Sequence, residues 1–116
     1  MDEECIFCLI AAKKIPSNTR YEDEEITGFD DRSPKAKIHI LFVPKKHIAN
    51  LNEATEEDRE ILGRLLLAVK KTAQKLGINQ TGYRVIINTK EHAGMEMDHL
   101  HIHLLGGELL GPMVTN

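Results

Sequence analysis

A mixed helix-and-strand domain is the architecture this sequence predicts, and three observations predict it. Ile61, Leu62, Leu65, Leu66, Val69, Ala73 and Leu76 recur at helical spacing, which is the signature of one long amphipathic helix. Around that stretch lie short strand-like segments bounded by Gly, Pro, Asn and Asp, with no parallel strand-helix-strand pattern among them. The third observation is His99-Leu100-His101-Ile102-His103-Leu104-Leu105-Gly106-Gly107. A strand repeats every two residues, so His99, His101 and His103 share one face while Leu100, Ile102 and Leu104 share the other.

Each element follows from local chemistry. Residues 6–10 read as a short helix ended by the polar run 13–18, which contains Pro16. Residues 24–29 form a strand entering the turn Asp30-Asp31-Arg32-Ser33-Pro34, and residues 37–43 alternate as a strand that Pro44 stops. Thr55 is the N-cap of the long helix, Asp58 stands at the capping-box position, and Gly77 supplies the residue just past its end. Gly82 opens a strand over residues 83–88, and a Gly-containing loop over residues 89–98 joins it to the histidine strand, which Gly106 and Gly107 end. Two neighbouring strands linked this way pair antiparallel across a functional loop. The chain carries no internal repeat and no low-complexity segment.

Composition narrows the function classes. With 116 residues and 41% of them hydrophobic, the chain builds one domain, residues 1–116, around one core. A net charge of −3 with scattered lysines excludes the basic stripe that nucleic-acid binding needs, since Lys45-Lys46 is only a short pair. No apolar run approaches a membrane span, and Met1-Asp2-Glu3-Glu4 is acidic where a signal peptide carries basic residues. The expectation is a cytoplasmic protein. In a reducing compartment, Cys5-Ile6-Phe7-Cys8 points to metal or redox use over a structural disulfide, with buried packing residues as the other reading.

Half of the six histidines lie in register on the one strand. Lined up in this way, imidazoles offer a metal site, a nucleophile with its proton carriers, or an anion pocket. A metal-dependent hydrolase would use His99, His101 and His103 as ligands, although a third ligand ordinarily comes from another strand. A non-catalytic nucleotide-binding scaffold is the remaining alternative, because a fold does not fix an activity. An imidazole is a good nucleophile at neutral pH because its ordinary pKa, about 6.5, leaves much of it unprotonated.

The triad strand, Phe29-Asp-Asp-Arg-Ser-Pro34, His39-Ile-Leu-Phe-Val-Pro-Lys-Lys-His47, Asn88 and Gly94 occur in an order that resembles the histidine triad (HIT) superfamily. Within it, the chain resembles the Hint branch of nucleotide-binding proteins and nucleoside phosphoramidases. The resemblance runs from Ile6-Phe7 to Gly106-Gly107. It implies an α+β fold with a five-stranded antiparallel sheet, one long and one short helix, and a two-fold homodimer in which the long helices and a strand meet. It also implies hydrolysis of nucleoside 5′-phosphoramidates or adenylated compounds, with a purine nucleotide or nucleoside phosphoramidate as partner and no organic cofactor.

Roles follow residue by residue from that resemblance. His101 is the nucleophile, His103 bonds a phosphoryl oxygen, and His39 assists the leaving group. Asn88 and the backbone around Gly94 would supply neutral donors near the scissile phosphate, Glu96 would contact the leaving group of the bound nucleotide, Asp31 would accept both ribose hydroxyls, and Ile6, Phe7 and Phe29 would flank the base. Asp31 also suits a plain turn before Ser33-Pro34, and the three apolar residues also suit a core. Cys5, Cys8, His47 and His99 would hold a structural zinc in a closed tetrahedral site. His92 lies in a polar loop and is expected to be solvated. The sequence departs from the pattern at Met95, where many relatives carry Gln, at Glu96, where some carry Ser, and in a tail without Trp.

Overall fold

The capping box expected at Thr55 and Asp58 forms, but it caps a tight turn ahead of the long helix, which itself starts at Arg59. In the computed structural model, which describes residues 5–114, the Thr55 hydroxyl accepts the Glu57 N–H while the Asp58 carboxylate accepts the Thr55 N–H at 2.9 Å. This capping box leads through one tight turn, Glu56–Asp58, into the long helix Arg59–Lys75. The helix ends where Gly77 turns left-handed at φ +78°, with the Ile78 N–H returning to the Ala73 carbonyl. A side chain there would be strained, so glycine suits the position. The acidic opening Met1-Asp2-Glu3-Glu4 lies outside the described residues.

Five strands form one antiparallel sheet: β1 (Thr19–Glu22), β2 (Ile26–Asp30), β3 (Ile38–Pro44), β4 (Tyr83–Ile86) and β5 (Ile102–Gly106), in the spatial order β1-β2-β3-β5-β4. The short helix Ile6–Ala11 is α1 and the long one is α2. Helix α2 covers one face of the sheet, placing Leu65, Ala68, Val69 and Ala73 against Ile26, Ile40, Phe42, Leu100, Ile102 and Leu104. Helix α1 covers part of the other, where Phe7, Cys8 and Ile10 pack with Phe29, Leu41 and Val43. Strand β3 is thus buried on both sides, and its odd-numbered residues face the α1 side. No described helix is long and apolar enough to cross a membrane.

Several boundaries differ from the sequence reading. Strand β1 has no counterpart in it, because Thr19, Arg20 and Glu22 are exposed and the segment carries no alternation of apolar residues. Pro44 closes β3 from within, opposite Ile26. Strand β5 begins opposite Phe42, so no strand flanks Pro44 on that side and its missing N–H costs no ladder bond. The histidine strand starts late for a related reason. The Leu100 N–H donates to the Ile48 carbonyl at 2.6 Å, so residues 99–101 follow the chain beyond β3 and not a ladder. The side-chain alternation nevertheless runs through, with Leu100, Ile102 and Leu104 all in the α2-facing core. Strand β4 ends at Ile86, and the connection to β5 contains one tight turn, Glu91–Ala93.

Candidate active site and an adjoining sulfur–imidazole cluster

Register brings the second strand's histidine to the triad. Leu41 of β3 lies opposite His103 of β5, which puts His39 diagonally across on the same face. The two rings meet with His39 Nε2 2.9 Å from His103 Nδ1. Backbone groups assign the protons. The Lys35 N–H donates to His39 Nδ1 at 3.0 Å, so a neutral His39 carries its hydrogen on Nε2 and donates it to His103. His103 in turn keeps Nε2–H free to face an anion. His101 donates from Nδ1 to the His99 carbonyl at 2.7 Å, which leaves Nε2 of His101 with an unshared lone pair.

Burial shapes the protonation of this group. It pushes the His103 imidazole down to about 4, with His101 and His39 adding to the fall and Asp31 opposing it. Burial likewise lowers His39, which Asp31 partly offsets from 3.4 Å away. Both rings are therefore neutral at pH 7, acting as oriented donors and acceptors and not as cations.

Beside the histidines lies a cleft of about 380 Å³ lined by Ile6, Phe7, Phe29, Asp31 and Glu96, five residues the sequence reading placed at a nucleotide. Ile10, Asn18, Leu41 and Met97 also line it. The Phe7 ring sits 5.7 Å from Phe29 and 5.1 Å from His101, so one aromatic wall joins cleft to imidazole. Asp31 combines its two readings. One carboxylate oxygen accepts the Ser33 N–H at 2.7 Å and shapes the turn, while the other approaches His39. Asn88 is half-buried and Gly94 ends the Glu91–Ala93 turn at φ +74°, but neither lines this cleft. His92 is exposed, as expected.

The first triad histidine faces elsewhere. His99 is fully buried, donates from Nε2 to the Pro44 carbonyl at 2.8 Å, and points Nδ1 at Cys5 Sγ (3.2 Å) and Cys8 Sγ (3.4 Å). His47 Nδ1 lies 3.1 Å from Cys8 Sγ, and all four donor atoms fall within 4.8 Å of one another. Donor atoms around a tetrahedral zinc are separated by roughly 3.5 Å, so two sulfurs and two nitrogens at these spacings fit such an ion. The Pro44 carbonyl fixes the tautomer a ligand needs, leaving Nδ1 of His99 unprotonated. Burial also pushes His99 down to about 4, which keeps it neutral. Asp31, His39 and His103 form another compact group, but the Lys35 amide holds the proton on His39 Nε2, the atom a metal there would need.

A histidine-bearing strand beside an apolar cleft on a five-stranded sheet defines the class of protein. A match to the HIT domain family spans residues 12–109, and the chain belongs to that family. It is similar to the purine nucleoside phosphoramidase of Escherichia coli K12, 44% identical over all of this chain and 98% of that protein. Two solved structures are also similar. A histidine triad protein from Clostridium difficile has a TM-score of 0.95 at 39% identity, covering 98% of this chain and 99% of its own. A HIT family hydrolase from Legionella pneumophila has a TM-score of 0.90 at 42% identity, covering 92% and 96%.

Proposed function

We propose that this protein hydrolyses purine nucleoside 5′-phosphoramidates or related adenylated compounds through a nucleotidyl-histidine intermediate. The observation that carries the reading is the hydrogen bond from His101 Nδ1 to the His99 carbonyl, which leaves Nε2 as an oriented nucleophile one pleat from His103. Nε2 attacks the α-phosphorus, a phosphorus–imidazole bond forms, and the bond to the leaving nitrogen breaks as that nitrogen takes a proton from solvent and departs as the amine; the hydrolytic second step returns a proton to solvent. Water then attacks the same phosphorus, releases the nucleoside monophosphate and restores the imidazole. His103 donates from Nε2 to a phosphoryl oxygen whose charge grows in the transition state. His39 is buried with both nitrogens engaged, so it acts through His103 as a positioning residue and not on the leaving group itself. Asp31, which lines the cleft, suits a cis-diol, and Phe7 and Phe29 suit a base.

The reading extends to the rest of the molecule. Cys5, Cys8, His47 and His99 would hold a structural zinc that contributes to folding and takes no part in the reaction. Thiols that serve as ligands require a reducing compartment, which favours the cytoplasm. Strand β4 is a sheet edge whose Tyr83 and Val85, with Ile87 beyond it, leave more than a third of their surface exposed, and Leu66 on α2 is 53% exposed. Uncovered edges of this kind invite pairing, and a two-fold dimer through β4 and α2 would cover them.

Incubation with adenosine 5′-phosphoramidate tests the chemistry. Mass spectrometry should detect AMP and, in a quenched reaction, a nucleotidyl group on His101. His101→Ala should lose turnover by on the order of 10⁴-fold or more while retaining nucleotide affinity within about tenfold. Turnover in that variant near the native rate would overturn the mechanism.

A further inference from the structure

Helix α1 has six residues, and with its N-cap Cys5 it serves two centres at once. Cys5 at its N-cap and Cys8 in its first turn contact His99, and Cys8 also reaches His47. Ile6, Phe7 and Ile10, from the same turns, line the cleft. A helix this short does not hold itself together, so its position depends on what it is packed and tied to. A second link runs through His99. Its Nδ1 faces the two sulfurs, while its carbonyl holds the Nδ1–H of His101 at 2.7 Å. Phe7 lies across both links, with its ring centre 6.0 Å from His99 and 5.1 Å from His101. The cluster therefore grips the aromatic wall of the cleft and the backbone group that orients the nucleophile.

We propose that occupation of the Cys5, Cys8, His47 and His99 cluster by a zinc-class divalent ion and binding of a nucleotide in the cleft are coupled, each strengthening the other. The inference rests on the metal and nucleotide readings above and goes beyond them, since a purely structural ion would leave nucleotide affinity unchanged. The physical basis is ordering. With the ion bound, α1 and residues 99–101 are already fixed where a nucleotide needs them. Without it, the cost of fixing them falls on nucleotide binding. Reciprocity then requires the nucleotide to tighten the ion by the same factor, and couplings of this kind range over about 5- to 150-fold. The expected value is about tenfold, because only one wall of the cleft is involved.

The test uses the full chain under reducing conditions, loaded with Zn²⁺ or Co²⁺ or stripped by a chelator. Calorimetry should show AMP binding about tenfold more tightly to the loaded protein. The Zn²⁺ affinity, read by equilibrium competition with a chromophoric chelator starting from the folded and loaded protein, should tighten by a similar factor under saturating AMP. That second measurement needs no isolated metal-free form. Unchanged Zn²⁺ affinity with AMP bound, or AMP affinities within about twofold for two folded forms, would overturn the coupling while leaving both sites standing. Failure of Co²⁺ to give a thiolate charge-transfer band would instead remove the metal reading, and failure of AMP to bind either form would remove the nucleotide reading. Either result removes the coupling with it.

Discussion

His99 and His103 are the same residue type, on one face of one segment, and burial pushes both imidazoles down to about 4. They nevertheless face different centres. His99 meets two sulfurs brought by α1, whereas His103 meets a second histidine brought by β3. Strand periodicity delivers donors to a face, and the segments crossing that face decide what each donor does. The backbone completes the division. Pro44 lends a carbonyl to one ring and Lys35 lends an amide to the partner of the other, so each tautomer is set from outside the strand.

The comparison makes opposite forecasts for its two ends. His103→Asn should lower kcat by about 10²- to 10⁴-fold, the range for removing one donor or proton-handling group, with the melting temperature nearly unchanged. His99→Ala should do the reverse in emphasis. It removes a buried ligand and leaves Cys5 and Cys8 facing an unfilled volume, so a fall in melting temperature on the order of 10 °C is expected from a loss of about 2–3 kcal/mol. Thermal melts and steady-state turnover on both variants read the difference. Equal losses of kcat and of melting temperature in the two proteins would erase the distinction between them.

A milder effect belongs to His39, which acts one residue further from the substrate. His39→Asn should reduce kcat by about 10- to 100-fold and leave KM within about threefold, because it frees the His103 ring without removing a contact to the nucleotide. If KM rises while kcat holds, His39 touches the nucleotide directly and the relay through His103 is wrong.

Much of this division was legible in the sequence, and the unreadable part has identifiable causes. The alternation of Leu100, Ile102 and Leu104 with the histidines assigns the two faces before any pairing is known. The Thr55 and Asp58 cap and the Gly77 turn delimit α2 because capping is local chemistry. Strand β1 stayed hidden since Thr-Arg-Tyr-Glu on an exposed edge carries no apolar period. The diagonal between His39 and His103 depends on register across a non-local pair, and the Lys35 amide has no side chain to announce it. The spacing of Cys5 and Cys8 was visible, but their convergence with His47 and His99 requires the fold. For Asn88 and Gly94 the resemblance alone suggested a role, and neither lines the cleft beside the histidines.

The smallest expected effect is a pH dependence of stability that separates the two ends once metal is held constant. In the folded protein His103 sits near 4 and His39 is also lowered, whereas an unfolded chain would protonate both near about 6.5. Between those values the unfolded state binds more protons than the folded one, so stability rises with pH through the window. Neutral burial of this pair is therefore fully compatible with folding above about pH 6.5, costs stability as pH falls toward 4, and adds no further slope below. His103 is partly exposed, so its share is on the order of 1 kcal/mol. Urea midpoints at pH 7.5 and pH 5.5 on zinc-loaded protein would measure the slope, which also contains any proton-driven weakening of the metal cluster. The same pair of midpoints for His103→Asn isolates the histidine. The variant should lose less stability on acidification than the parent, and an identical slope in both would place the acid sensitivity at the sulfur–imidazole end instead.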